Sequence, residues 1–358
     1  MTRNVVIGVD GTWNRPDQFD RGRQVPGNVV KMVRAVSANS DIPQLKYYDS
    51  GVGTDGWFDK LWGGVAGRGL FGSMRKAYHW LVEHWQEDDR LFLFGFSRGA
   101  FTVRSLAGML ALCGLPARRD ENISAEAANI YRTHDKEKRL HSAELFRKKY
   151  HCHDVPVHFL GVWDTVGAMG LPTRGPVGSL TRARHQFHSV CLGNNVRHAR
   201  QALAINEQRA AFEPSLWMPP APPSLESVQQ LWFAGVHSNV GGGYVCSGLS
   251  DIALSWMMEE ATALGLVLNP AYVSRRVDPD EFGELRDSLS ALYRTPLAGG
   301  LPRQRSIGTG ALGEGIHESV FKRWHSPSRP DEMPENLREV TREGRNGLAN
   351  QNWFNFQN

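Results

Sequence analysis

The sequence has few cysteines, and they stand far apart, at Cys113, Cys152, Cys191 and Cys246. Because no two of them form a Cys-x-x-Cys pair, neither a zinc site nor a disulfide framework is indicated, and we expect no bound metal. Widely spaced, reduced thiols are typical of a protein made in the cytoplasm.

The sequence also lacks long apolar runs. No stretch approaches the roughly 18 apolar residues that a transmembrane helix requires. The N-terminal segment reaches Asp10 too early to supply the apolar region of a Sec signal peptide. We therefore expect a protein made in the cytoplasm without a Sec signal, so that any action outside its cell needs another export route.

Neither sign of charge is in large excess, since the net charge is +4 over 358 residues. So small a net positive charge does not indicate a nucleic-acid partner. The glycine-rich turns at 51–53 and 63–64 lack the Gly-Lys-Ser/Thr ending of a phosphate-binding loop, so we expect no nucleotide or other cofactor. The motif Asp10-Gly-Thr12 also occurs in phosphatases of the haloacid-dehalogenase type. Their nucleophilic aspartate, two residues before this Asp, is replaced here by Gly8, so the motif does not indicate a phosphatase.

Strand and helix patterns alternate along the chain. Continuous apolar or β-branched runs predict strands at 4–9, 45–48, 91–96, 157–163 and 231–236. Helical periodicity predicts helices at 28–36, 73–86, 100–112, 197–212 and 251–264. This alternation predicts an α/β fold with a mainly parallel sheet, helices on both faces and ligands bound beyond the carboxyl ends of the strands.

A Gly-x-Ser-x-Gly pentapeptide, Gly95 to Gly99, lies between a predicted strand and a predicted helix. In that context the pattern is typical of a nucleophile elbow, where a sharp turn strains the serine and leaves no room for a side chain two residues to either side. The alternative is an ordinary glycine-flanked serine in a strand-to-helix turn. The pentapeptide makes Ser97 the candidate nucleophile and predicts an α/β-hydrolase-like fold.

Two later residues have the order expected of a catalytic triad. Asp164 directly follows one predicted strand, and His237 directly follows another, so both are expected at the sheet edge that carries Ser97. Asp164 could instead cap a helix or form a turn, and His237 could instead pack against Trp232 or Tyr244. The order along the chain favours the triad over these separate alternatives.

An oxyanion hole requires two backbone N–H donors near the nucleophile. The residue after the nucleophile, Arg98, is expected to supply the first donor. The second is expected from Gly11 or Thr12, because they follow the N-terminal strand at the same sheet edge.

Five motifs in order resemble an α/β-hydrolase domain family that includes phospholipase effectors of bacterial type VI secretion systems. They are Asp10-Gly-Thr-Trp-Asn14, Gly51-Val-Gly-Thr54, Gly95-Phe-Ser-Arg-Gly-Ala100, Val162-Trp-Asp-Thr-Val166 and Gly235-Val-His-Ser-Asn-Val-Gly-Gly-Gly-Tyr244. The resemblance runs from about residue 3 to about residue 325. It implies Ser97 as nucleophile, Asp164 as acid and His237 as base, with a phospholipid or another carboxylic ester as substrate.

The resemblance also implies partners and departs from the family pattern in places. It implies contact with a membrane surface, an immunity protein or a secretion apparatus, and delivery to the periplasm of a target cell. Asn239 stands where the family usually has aspartate, and Asn206 replaces another usual aspartate. Neither departure touches the assigned triad, although both would weaken contacts around it.

A second histidine, His317, lies in a motif-like segment, Gly315-Ile-His-Glu-Ser-Val320, and is the alternative base. His237 is favoured because it alone follows a strong strand, as the fold requires. His317 would then line an acyl pocket or cap a helix.

The expected organisation is a single domain over 1–325 and a polar tail over 326–358. Within the domain, 117–155 is expected to be a helical cap or lid insertion with basic segments at Arg132-Thr-His-Asp-Lys-Glu-Lys-Arg139 and Arg147-Lys-Lys149. A basic cap of this kind would suit docking on anionic lipid, or it would form a solvated helical face of mixed charge. The function predicted is that of a serine esterase or lipase, most specifically an A-type phospholipase; the alternatives are an esterase for a soluble ester and a binding module without catalysis.

Overall fold

The computed structural model describes residues 2–11, 16–51, 65–118, 122–167, 192–289, 301–328 and 330–342. Thr12, one of the predicted oxyanion donors, lies outside the described residues, as do Cys191 and most of the motif at 51–54. No helix among the described residues is long and apolar enough to cross a membrane.

A seven-stranded sheet forms the centre of the molecule, and every pairing described within it is parallel. In sheet order its strands are β4 (Gln44–Asp49), β1 (Asn4–Val9), β5 (Arg90–Phe96), β6 (Val157–Trp163), β7 (Val196–Ala204), β8 (Ser227–Phe233) and β9 (Glu314–Ile316). Strands β2 (Phe19–Asp20) and β3 (Arg23–Gln24) form a separate small hairpin. Because all strands run the same way, their carboxyl ends share one edge of the sheet.

Helices cover both faces of the sheet, as the alternating pattern predicts. Along the chain they are α1 (Asn28–Ala35), α2 (Val65–His84), α3 (Arg98–Cys113), α4 (Ile123–Arg132), α5 (Lys136–Tyr150), α6 (His237–Gly241), α7 (Gly248–Ala263), α8 (Pro270–Arg276), α9 (Glu318–His325) and α10 (Glu335–Arg342). Successive side chains of a strand enter opposite cores: Phe92 and Phe94 pack with α1 and α7, whereas Leu91 and Leu93 pack with α2 and α3. The prediction of an α/β-hydrolase-like fold is confirmed.

One predicted helix is wrong, because residues 196–204 form the buried strand β7. The segment is rich in alanine, arginine and glutamine, which favour helix when they are exposed. Here its backbone pairs with β6 on one side and β8 on the other, and burial in the sheet overrides that local preference. Only the end of the predicted helix has helical turns, in a single 3-10 turn at Ala210–Phe212.

The predicted insertion at 117–155 contains α4 and α5, which pack beside the second half of α3. The Cys113 Sγ contacts the Ala127 carbonyl, and Tyr131 lies against Gly108. Ion pairs join Arg147, Lys148 and Lys149 of α5 to Asp154, Glu144 and Glu126, respectively. These pairs fit a solvated face of mixed charge, while a lid function for the segment stays a prediction.

The packed part of the chain extends beyond residue 325. Helix α10 buries Leu337 and Val340 in the core that also contains α1 and α7. Part of the segment predicted as a polar tail therefore contributes to the body of the protein.

Candidate active site

Ser97 lies between β5 and α3 in a strained conformation, with φ 57° and ψ −120°. A Cβ added to Gly95 would come within 2.6 Å of the Gly99 carbonyl oxygen, and one added to Gly99 within 2.1 Å of the Val9 carbonyl oxygen. Both glycines are therefore required by the close approach of backbone atoms, as a nucleophile elbow demands. The strain is of the kind that concentrates at functional sites.

Asp164 follows β6, the strand directly beside the one that carries Ser97. The two strand ends are joined by a 3.0 Å hydrogen bond from the Ser97 backbone N–H to the Trp163 carbonyl. Asp164 also has a positive φ, 40°, and its side chain is fully buried. Its Oδ1 accepts a hydrogen bond from the backbone N–H of Ala204, at the end of β7.

His237 is the first residue of the short helix α6, four residues beyond the end of β8. Its Nδ1 lies 2.5 Å from Asp164 Oδ2, so the structure brings these predicted residues together. The imidazole packs against two phenyl rings, with centroids 4.5 Å from Phe96 and 4.9 Å from Phe212. Since Phe96 directly precedes Ser97, this packing places the histidine beside the elbow.

Burial and charge act on this pair in opposite senses. Burial lowers the pKa of His237 below 6.5, against the hydrogen bond to Asp164, which acts to raise it. Burial acts to raise the pKa of Asp164, but the Arg305 guanidinium and the hydrogen bond from His237 outweigh it and hold that pKa below its ordinary value. At neutral pH the arrangement is therefore a neutral imidazole hydrogen-bonded to a carboxylate.

Arg305 was not predicted from the sequence. Both terminal nitrogens of its guanidinium donate hydrogen bonds to the Asp164 carboxylate, at 2.6 Å to Oδ1 and 3.0 Å to Oδ2. It lies in a segment without a motif, and sequence spacing gives no signal that it would reach a residue 141 positions earlier.

Glu207 is a second buried charge next to the site that sequence reasoning missed. Its Oε2 accepts a hydrogen bond from the His237 backbone N–H at 3.2 Å, and its carboxylate pairs with Arg209. Burial acts to raise the pKa of Glu207, but Arg209 prevails and lowers it to about 2. The carboxylate thus fixes the start of α6, where an acidic group is favourable.

The two asparagines that depart from the family pattern hold turns near His237. Asn239 Oδ1 accepts backbone N–H groups of Val236 and Arg286, and its amide donates to the Glu284 carbonyl. Asn206 Oδ1 accepts the Gly235 N–H at 2.8 Å. Both side chains therefore act on the backbone that carries the histidine.

Of the predicted oxyanion donors, Arg98 and Gly11 lie within the described residues. Arg98 is the first residue of α3, so its N–H belongs to the helix N-terminus beside Ser97. The Gly11 N–H donates to Asp10 Oδ1 at 3.1 Å. A role for either residue, or for Thr12, in an oxyanion hole stays a prediction.

The alternative base, His317, has different surroundings. It is the N-cap of α9, where its Nδ1 accepts the Ser319 backbone N–H at 3.3 Å, and its ring stacks on Phe233 at 4.5 Å. Burial lowers the pKa of His317 to about 4. These contacts match the helix-capping alternative of the sequence analysis.

No cluster of three or more His, Cys, Asp or Glu side chains suited to a metal occurs in the part of the chain that the structure describes.

Comparison with known proteins identifies the family. Residues 3–260 match the model of the catalytic domain of Tle1-like phospholipase effectors of type VI secretion systems. The chain belongs to this family. Ser97, Asp164 and His237 all lie within the matched residues of the Tle1-like domain, whereas Arg305 and His317 lie beyond them.

Three individual proteins are similar to this chain at low sequence identity, between 11% and 26%. An uncharacterized protein of Saccharomyces cerevisiae is 26% identical over 239 residues, which cover 61% of this chain and 33% of that protein. Among solved structures, an uncharacterized Pseudomonas aeruginosa protein aligns over 97% of this chain and 59% of its own, with 17% identity and a TM-score of 0.47. A thermophilic esterase of Thermogutta terrifontis aligns over 75% of this chain and 86% of its own, with 11% identity and a TM-score of 0.36. The chain thus spans about a third of the yeast protein and about three-fifths of the Pseudomonas aeruginosa protein.

Proposed function

We propose that this protein is a serine hydrolase that cleaves carboxylic esters through an acyl-enzyme. The observation that carries the proposal is the strained Ser97 at an elbow beside a buried His237, whose Nδ1 lies 2.5 Å from Asp164 Oδ2. A strained serine at φ 57° between two obligatory glycines is typical of a nucleophile elbow and supports this proposal.

In the proposed reaction, His237 is the general base. With Nδ1–H donating to Asp164, its Nε2 is unprotonated and takes the proton of the Ser97 hydroxyl as Oγ attacks the ester carbonyl. The oxyanion that forms is stabilised by backbone N–H donors, for which Arg98, Gly11 and Thr12 are the candidates.

Collapse of the tetrahedral intermediate breaks the bond to the leaving alkoxide, which receives the proton from the His237 imidazolium. Water then attacks the acyl-enzyme with His237 again as base, and the carboxylic acid and free Ser97 are released. Asp164 stays ionised throughout and stabilises the imidazolium.

We further propose that the substrate is a membrane glycerophospholipid cleaved at an acyl ester, as in an A-type phospholipase. Membership of the Tle1-like phospholipase effector family supports this choice. It also supports contact with a membrane surface, delivery to a target cell and an immunity protein as partner. The ion pairs of α5 leave little unpaired basic charge in the cluster at 147–149, so we do not assign membrane contact to that cluster.

The test is release of fatty acid from vesicles of phosphatidylethanolamine and phosphatidylglycerol, with a short-chain soluble ester assayed in parallel. We expect the wild-type chain to release fatty acid and the Ser97→Ala chain to release none. Hydrolysis of the soluble ester without attack on vesicles would instead indicate a soluble-ester esterase. Failure on both substrates, together with no labelling of Ser97 by a fluorophosphonate, would identify a binding module.

The acid limb of the pH–activity profile should be centred below pH 6.5. A general base works only as neutral imidazole, and burial keeps the pKa of His237 below 6.5. Half of the base is therefore protonated only below that value, and we expect kcat/KM for the soluble ester to reach half of its plateau below pH 6.5. A profile of kcat/KM against pH checks this, and an acid limb centred above 6.5 would contradict the environment described for His237.

A further inference from the structure

We infer that Arg305 is a positioning residue of the active site, supplied by the part of the chain beyond the family match. The inference rests on the proposed function of Ser97, Asp164 and His237. In this role Arg305 orients the Asp164 carboxylate and keeps it ionised. In that way it sets the pH range over which His237 can act as a base.

Four hydrogen bonds hold the Asp164 carboxylate in place. Asp164 Oδ1 accepts from the Ala204 N–H and from one terminal nitrogen of Arg305, while Oδ2 accepts from His237 and from the other. A two-pronged guanidinium contact sets the plane of a carboxylate as well as its position. With that plane fixed, Oδ2 is held toward the His237 Nδ1.

The guanidinium is itself held by the surrounding backbone. It donates to the Ala204 and Phe212 carbonyls, and the Phe212 ring is one of the two that border His237. Asn336 of α10 donates to the Arg305 carbonyl at 3.0 Å and to the Ile205 carbonyl at 3.2 Å. One buried arginine thus connects the acid, the wall of the histidine pocket and the C-terminal helix.

The positive charge of Arg305 beside Asp164 has a consequence that can be measured. Asp164 has no exposed surface, and a carboxylate buried without a cation would take up a proton. Arg305 supplies that cation, and two further charged groups near the pair among the described residues, Glu207 and Arg209, neutralise one another. Removing the guanidinium would make addition of a proton to the Asp164–His237 pair easier, whichever of the two residues receives it.

The experiment compares Arg305→Gln, Arg305→Lys and Arg200→Gln with the wild-type chain. Arg200 is the matched control, because it is an equally buried arginine paired with a carboxylate, Glu260, at 2.6 Å, outside the candidate site. For Arg305→Gln we expect kcat/KM on a soluble ester to fall about 10- to 100-fold, and the acid limb to move up by about one pH unit. Arg200→Gln should leave both unchanged.

Arg305→Lys separates charge from fork geometry. It should keep the acid limb near its wild-type position while kcat/KM falls, because lysine retains the positive charge but not the two parallel hydrogen bonds. This variant also decides the matter if Arg305→Gln does not fold, as judged by thermal unfolding. A Lys variant with wild-type kcat/KM would overturn the positioning role.

A titration that does not depend on turnover distinguishes failure of this inference from failure of the proposed function. The imidazole signal of His237, followed by NMR with labelled histidine and assigned with His237→Asn, should titrate at higher pH in Arg305→Gln than in the wild-type chain. That shift in a chain without esterase activity would support Arg305 while refuting the hydrolase. An active wild-type chain whose Arg305→Gln variant keeps the same rate, acid limb and His237 titration would overturn the inference alone.

Discussion

Replacing Ser97 by alanine is expected to lower kcat for ester hydrolysis by about 10⁴- to 10⁶-fold while leaving the protein folded. The hydroxyl is the only group the substitution removes, and the strained backbone is held by the packing of Gly95 and Gly99 against their neighbours. The loss should appear in kcat, because no acyl-enzyme can form without Oγ. Steady-state kinetics and labelling by a fluorophosphonate measure it directly.

Ser105→Ala is the matched control for this variant. Ser105 is a buried serine within α3, the helix that follows Ser97, and stands eight residues beyond the elbow. It should keep both hydrolysis and labelling. Retention of hydrolysis by Ser97→Ala, with Ser105→Ala equally active, would mean that another nucleophile carries the reaction.

Replacing His237 by alanine should reduce kcat by about four orders of magnitude or more, because Ser97 then has no base. The same replacement at His317 should leave kcat within a few-fold of wild type. Its expected effect is instead a loss of about 1 kcal/mol of stability, because α9 loses its N-cap acceptor. Kinetics on one ester and thermal unfolding of both variants separate these outcomes.

The two histidines make a useful pair because His237 is buried, His317 is half-buried, and both have a lowered pKa. They differ in partners: His237 contacts the Asp164 carboxylate, and His317 contacts Ser319 and Phe233. A collapse of activity at His317 with little effect at His237 would reverse the proposed assignment of the base.

Local sequence patterns are sufficient to locate the candidate residues that directly follow strands. Ser97 and Asp164 each directly follow a strand of the predicted sheet, and the glycines around the elbow carry their own steric signature. The predicted strand at 231–236 was displaced, since β8 ends at Phe233, and His237 begins a helix rather than following the strand directly. The order along the chain survived this displacement because the parallel sheet gathers all carboxyl strand ends at one edge.

Residues whose roles depend on distant partners were not predictable. The side chains of β7 favour helix locally, and only pairing with β6 and β8 makes the segment a strand. Arg305 and Glu207 meet their partners through tertiary contacts over 141 and 30 residues, which no spacing rule encodes. Composition likewise suggested a polar tail where α10 instead buries Leu337 and Val340.

The position of β9 in the sheet has a consequence for the nascent chain. Strand β8 ends at Phe233, but the neighbour that covers its free edge begins only at Glu314, about eighty residues later. While the ribosome is still making the intervening segment, β8 presents an open edge that other strands can pair with. The short stretch that carries Arg305 and β9 closes that edge, so chaperone protection during synthesis would matter most just before those residues emerge.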